Sequence, residues 1–238
     1  MESLPSNDCQ YLKDDAKVIK NPTAQELLDA IKCGCDGCVN AGENFAVVDS
    51  GSIKGRLPND KYVVTTQYAK RNVWWQENGS DNKPLARESA KHIRDIVCQN
   101  ISADNHVYVV DGFYNNDEKN RLAVRFVTNI PWAAYFFRLV SIAPSARELQ
   151  NFEPQWTILH TPATKVSSYK EHGMNSENAV ITNLKYRETI IVGTYYLTEI
   201  TKSMLSATSY YLSLNNIGVF HCAVGTKDNH ATMYLGLS

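Results

Sequence analysis

An α/β fold, a mixed sheet flanked by helices, is what this sequence predicts, and three observations carry the prediction. Short β-rich runs alternate with segments of helical spacing over most of the chain. The apolar fraction, 43% of 238 residues, suffices for a substantial core. No internal repeat, low-complexity tract or long linker interrupts the pattern, so residues 21–238 read as one domain behind a polar, loosely ordered arm of residues 1–20.

The elements follow in order. Asn21 and Pro22 read as a helix N-cap and a proline at the first helical position, opening an amphipathic helix through Lys32. Phe45 to Asp49 and Tyr62 to Thr66 read as short strands around the 51–60 loop, and Asn78-Gly79 marks a turn. Ala86, Ala90, Ile93 and Val97 recur at helical spacing, which predicts a helix over 84–99 with one buried face. Val107 to Asp111 and Leu122 to Val127 are β-rich runs joined by a polar turn, hence adjacent strands. Trp132 to Leu139 reads as a short buried helix. Strands are expected over 157–160, 179–184, 189–192, 218–224 and 231–235, and Thr198 is expected to cap a helix reaching Tyr211, with Glu199 in its first turn.

Charge narrows the function classes. Twenty-four basic residues against 25 acidic ones leave no excess of positive charge for phosphates or anionic lipid, so neither a nucleic-acid nor a membrane-surface role is expected. No run approaches the length of a membrane span: Ile130 to Ile142 is short and contains Arg138. The first 20 residues hold Asp8, Asp14 and Asp15 and no apolar run of signal-peptide length. A cytoplasmic compartment is therefore expected, with an organellar one open through removal of a presequence. Asn78-Gly-Ser80 and Asn100-Ile-Ser102 match glycosylation sequons that such a compartment makes incidental. Cys33, Cys35 and Cys38 fall within six residues and could gather zinc with Cys9 as a fourth thiolate. The alternative is a set of reduced thiols in a glycine-containing loop.

A series of ordered motifs carries more. The chain contains Lys54-Gly-Arg-Leu-Pro58, Asp60-Lys-Tyr-Val-Val64, Asn82-Lys-Pro-Leu85, Val109-Val-Asp111, Arg121-Leu122, Val124-Arg-Phe126, Asn175-Ser-Glu-Asn178, Gly193-Thr-Tyr-Tyr-Leu-Thr-Glu-Ile-Thr-Lys202 and Phe220-His-Cys-Ala223. In this order they resemble the amino-terminal domain of the ATP-dependent phosphoenolpyruvate carboxykinases, over about nine-tenths of the chain. The resemblance implies that Arg56 and Tyr196 contact oxaloacetate, and that Lys202 and His221 are metal ligands, with manganese or magnesium and ATP completing the chemistry. Arginine's planar fork suits a carboxylate, although taken alone Arg56 also reads as a surface ion pair and His221 as a core histidine.

The same motifs depart from the family pattern. Leu57 stands where the family has a serine, Leu197 and Thr198 where it has small residues, and Thr201 where it has the first of two lysines. Leu139 and Ala143 stand in place of an asparagine and an arginine within Arg138 to Pro144. Larger side chains at 197 and 198 are expected to narrow the pocket. The resemblance also places the family's phosphate-binding loop after Ser238. These features lead to the expectation of a non-catalytic relative, needing no cofactor as this chain alone, with a protein partner or a second copy at its interface and weak dicarboxylate binding at Arg56 and Tyr196. The alternative is the oxaloacetate-binding part of an active carboxykinase, a lyase, completed by a second domain. An interface is expected to border residues 198–238, where Tyr210, Tyr211, Phe220, Met233 and Tyr234 are candidate contacts.

Overall fold

The computed structural model describes residues 17–35, 37–103 and 106–236. Twelve strands and six α-helices lie within them. They are β1 (Val18–Lys20), α1 (Ala24–Lys32), β2 (Cys38–Ala41), β3 (Ala46–Val48), β4 (Lys61–Val64), α2 (Gln67–Asn72), β5 (Lys83–Leu85), α3 (Arg87–Ala103), β6 (Val107–Tyr114), β7 (Leu122–Thr128), α4 (Pro131–Val140), α5 (Ala146–Gln150), β8 (Trp156–Thr161), β9 (Ala179–Asn183), β10 (Glu188–Val192), α6 (Thr198–Leu214), β11 (Ala223–Lys227) and β12 (His230–Tyr234). Eight strands form one mixed sheet in the order β1-β6-β7-β8-β10-β9-β4-β5. Only β6 with β7 and β9 with β10 pair antiparallel in it.

Because side chains alternate across a strand, the sheet buries two apolar faces. Tyr108, Val110, Phe126, Trp156 and Ile158 meet α1, α4 and α6 on one side. Val109, Val127, Leu159, Ile190 and Val192 meet α3 on the other, through its buried Ala90, Ile93, Val97 and Ile101. The α/β expectation holds, with a mixed sheet covered on both faces.

Four boundaries differ from the sequence reading. The cap of α1 is Thr23 rather than Asn21: Glu26 N donates to Thr23 Oγ1 at 3.2 Å, and Thr23 N donates to Glu26 Oε2 at 2.7 Å. Asn21 instead adopts φ 51° and clasps Asp111, donating from Nδ2 to Oδ2 at 3.1 Å and accepting from Asp111 N at 2.7 Å. Helix α3 starts at Arg87, because Lys83–Leu85 pairs with β4 as an edge strand, the position where a proline such as Pro84 is tolerated. Thr198 is the first residue of α6, not its cap. Leu197 precedes it already in helical geometry, with no side-chain capping bond. Of the strand expected over 218–224, only Ala223 and Val224 pair, as the start of β11.

Residues 18–20, read as the end of the polar arm, form β1, which runs parallel to β6 with Val18 opposite Val107. Among the described residues no helix is long and apolar enough to cross a membrane.

Candidate functional site

One row of residues crosses the sheet and explains where the polar side chains gather. Register pairs Thr128 with His160, His160 with Ile191, Ile191 with Val180, and Val180 with Lys61. The first residue of β4 is thereby brought beside the end of β10, from which the chain turns through 193–197 into α6. Lys61 of β4 and Glu199 of α6 meet here although they are far apart in sequence.

Glu199 is the hub. It is fully buried, and Oε1 accepts a hydrogen bond from Leu57 N at 2.9 Å. Arg56 Nε lies 4.0 Å from Oε1, and Lys61 Nζ lies 3.8 Å from Oε2. The carboxylate thus fastens the 51–57 loop to the first turn of α6 and holds two cations. Burial lowers the Lys61 amine below the ordinary lysine value; Glu199 opposes the shift, while Arg56 and Lys202 add to it. One turn along α6, Lys202 Nζ donates to His221 Nε2 at 3.2 Å. Arg56, Lys61, Glu199, Lys202 and His221 therefore form a connected polar cluster on the 51–57 loop, β4, α6 and the segment entering β11.

The turn that launches α6 is held from beneath. Gly193 has φ 81°, the left-handed region that favours glycine, and a Cβ there would meet Asn178. Lys165 Nζ donates to Gly193 O at 2.8 Å. His160 is completely buried, with Nε2 at 3.3 Å from Thr194 O and Nδ1 at 3.1 Å from Thr128 Oγ1. A carbonyl can only accept, so Nε2 carries the proton and Nδ1 accepts from the Thr128 hydroxyl. Burial pulls this imidazole down to about 4, against its bond to Thr194. Asn175 and Asn178, whose motif contributes to the resemblance, serve the framework: Asn175 N donates to the Tyr62 hydroxyl at 2.8 Å, and Asn178 closes against Gly193.

The structure brings Arg56, Lys202 and His221 together in this cluster. Tyr196 lies on the adjoining turn, half-buried, its backbone N–H bonded to Thr194 Oγ1 at 3.1 Å and its carbonyl accepting from Glu199 N at 3.1 Å. Leu197 packs onto the apolar core, where a smaller residue would fill less space. Leu139 stands 63% exposed on α4, outside the cluster. Lys61 and Glu199 of the cluster, and His160 and Lys165 beneath the turn, are the residues that motif reading did not single out. The signal for His160 was present: a titratable residue inside an otherwise buried β run. For Lys61 and Glu199 it lay within the two matching stretches Asp60 to Val64 and Gly193 to Lys202.

Lys202 and His221 supply two nitrogens already hydrogen-bonded to each other, and an ammonium must lose its proton before it can coordinate a metal ion. Among the described residues no group of three or more His, Cys, Asp or Glu side chains gathers around a common point. Among the described residues, Lys202 and His221 alone do not make up the donor set of a divalent ion. Of the expected zinc set, Cys33, Cys35 and Cys38 form no such group, and Cys9 lies outside the described residues.

Compared with known families, residues 16–238 match the profile described as phosphoenolpyruvate carboxykinase, in its ATP-dependent form.

Proposed function

Since the chain belongs to the ATP-dependent phosphoenolpyruvate carboxykinase family, we propose that it acts as a non-catalytic binding domain of that family. In this reading it holds a small dicarboxylate weakly through Arg56 and Tyr196 and works through a protein docked on the hairpin β11–β12. The observation that carries the reading is the hairpin's surface. Every residue of β12 is exposed, and Val224 pairs with Met233 across the hairpin at 59% and 46% exposure. Phe220, Tyr234 and Leu235 add large apolar side chains, each more than half exposed. A two-stranded sheet alone in water is marginal, and an apolar patch of this kind on a folded chain marks an interaction surface. Tyr210 and Tyr211, by contrast, pack partly into the core. The substitution Thr201 supports the loss of turnover, since it removes one positive charge from the motif that the resemblance assigns to the anion, whereas Leu197 packs onto the core.

A second reading is favoured by a different observation, the intact cluster of Arg56, Lys61, Glu199, Lys202 and His221. There the chain is the oxaloacetate-binding part of an active enzyme, and Arg56, Lys61 and Lys202 place positive charge where a dicarboxylate would sit. ATP and a divalent ion would then have to be held largely by residues of another domain or chain.

Two experiments separate the readings, and a third tests Arg56. Incubation of the purified chain with oxaloacetate, ATP and manganese, together with a separately purified nucleotide-binding domain of a family member, is expected to give no phosphoenolpyruvate; turnover that requires both proteins establishes the second reading and ends the first. Light scattering of the wild type against Val224→Lys/Met233→Lys tests the interface. Association that the double variant abolishes is expected, and a monomer that captures no partner from its native source refutes the docking role. Oxalate is expected to raise the melting temperature of the wild type more than that of Arg56→Ala, through linkage of binding to stability. Equal shifts assign Arg56 to a structural ion pair.

A further inference from the structure

Adjoining the polar cluster, a cleft of about 300 Å³ opens between α6, β4, β9 and the segment after α2; Lys61, Glu199 and Lys202 line it and Arg56 does not. That volume is at the small end of the range for metabolite sites. Its lining is of mixed chemistry. Lys61 and Lys202 bring positive charge to the lining, and Asn72 and Asn82 bring side-chain amides. Both amides spend an N–H on backbone, Asn72 Nδ2 on Tyr68 O at 2.9 Å and Asn82 Nδ2 on Trp74 O at 2.8 Å, so their side-chain oxygens are left to accept. Val73 and Trp74 supply apolar surface, and Trp74 is 65% exposed.

The decisive group is Glu199, which also lines the cleft. Its Oε1 is bonded to Leu57 N, but Oε2 is buried and accepts no hydrogen bond, with Lys61 Nζ at 3.8 Å its nearest charge. A buried carboxylate oxygen without a donor is costly, and a native structure tends to fill such a position. We propose that this cleft is a second small-molecule site, taking a short-chain carboxylic acid that carries a hydrogen-bond donor, hydroxyl or ammonium, on its α-carbon. The carboxylate meets Lys202, the α-donor meets Glu199 Oε2 and the asparagine oxygens, and the short hydrocarbon lies on Val73 and Trp74. Since Lys202 and Glu199 also belong to the Arg56 cluster, occupancy here alters the affinity there, and the reverse by the same factor.

Three probes of one skeleton test this: L-lactate, L-alanine and propionate, which carry a hydroxyl, an ammonium and no donor. Binding is read from the Trp74 indole N–H signal in proton–nitrogen correlation spectra of the whole chain, in the wild type, Arg56→Ala and Ser206→Trp. Ser206 is exposed and lines the cleft from α6, so a large side chain there fills it; Ser206→Leu replaces this variant if circular dichroism shows the tryptophan variant unfolded. Saturable binding of lactate or alanine is expected, retained in Arg56→Ala, lost in the filled variant, and about tenfold weaker for propionate. Whichever of lactate and alanine binds better identifies the donor. The proposal is overturned if neither saturates, if propionate binds as well as both, or if the filled variant binds like the wild type.

Discussion

Replacing Glu199 tests whether its charge, rather than its shape, holds the site together. Glu199→Gln preserves the side chain's size and an oxygen to accept from Leu57 N, while removing the negative charge beside Arg56 and Lys61. The two cations do not contribute equally. Arg56 is 46% exposed, so water screens it and its share is that of a surface pair, ~0–1 kcal/mol. Lys61 is 25% exposed and loses more, since breaking a fully buried pair costs about 3–5 kcal/mol and this one is partly hydrated. The sum places Glu199→Gln at about 1–3 kcal/mol of lost stability. Glu199→Ala also loses the Leu57 bond and leaves a void, and belongs at about 3–5 kcal/mol. Urea unfolding followed by far-ultraviolet circular dichroism measures both. For a chain of this size the glutamine variant's loss corresponds to a melting temperature lower by ~2–12 °C. A glutamine variant as stable as the wild type would refute the reasoning, because the carboxylate would then be a shape-filler and the two cations would need no counter-charge.

Three other outcomes are expected. His160 is held neutral, its value depressed to about 4 by burial, so its contribution is fully present above the unfolded value near 6.5 and is lost as pH falls toward 4; the wild type should lose ~3 kcal/mol across that window relative to His160→Gln, and parallel pH profiles for the two would contradict this. Arg125 donates from Nε and Nη2 to Asp111 at 2.7 and 3.1 Å, both residues being buried, so Arg125→Ala should cost about 3–5 kcal/mol and Arg125→Met/Asp111→Leu should recover much of it; a double variant no better than the single one would contradict the charge argument. Thr23→Ala removes one side of the α1 capping box and should cost about 1 kcal/mol, read as a lower urea midpoint at unchanged slope, whereas no change would place the helix start elsewhere.

Much of the fold was legible because its strongest periodicities are local. Ala90, Ile93 and Val97 announce α3, and Val107 to Asp111 with Leu122 to Val127 announce the β6–β7 hairpin. What escaped was either short or long-range. Strands β1 and β5 have three residues each, too few for an alternating pattern, and exist because β6 and β4 offer them an edge. Asn21 resembles a cap until Asp111 claims it from 90 residues away. The motifs single out Arg56, Lys202 and His221, which the structure places in one cluster, and Tyr196, which it places on the adjoining turn. The binding of Arg56 and Lys61 by Glu199 depends on the register of β4 against β9 and of β9 against β10, which no local pattern encodes.

The row from Thr128 to Lys61 also bears on the order in which the molecule assembles. The β6–β7 hairpin closes a short loop, and its buried Asp111–Arg125 pair spans only 14 residues. Glu199 instead bonds Leu57 across 142 residues, and β4 must insert between β5 and β9 before that bond exists. Loop closure over such a distance is entropically costly, and contacts of that range form slowly. The sheet's centre can therefore be in place while Arg56, Lys61 and Glu199 are still apart, so the polar cluster is among the last regions to condense. Amide hydrogen exchange should show the same order in reverse, with the 51–57 loop and β4 opening well before β6, β7 and β8. A ligand or protein that engages the cluster then selects chains that have completed folding.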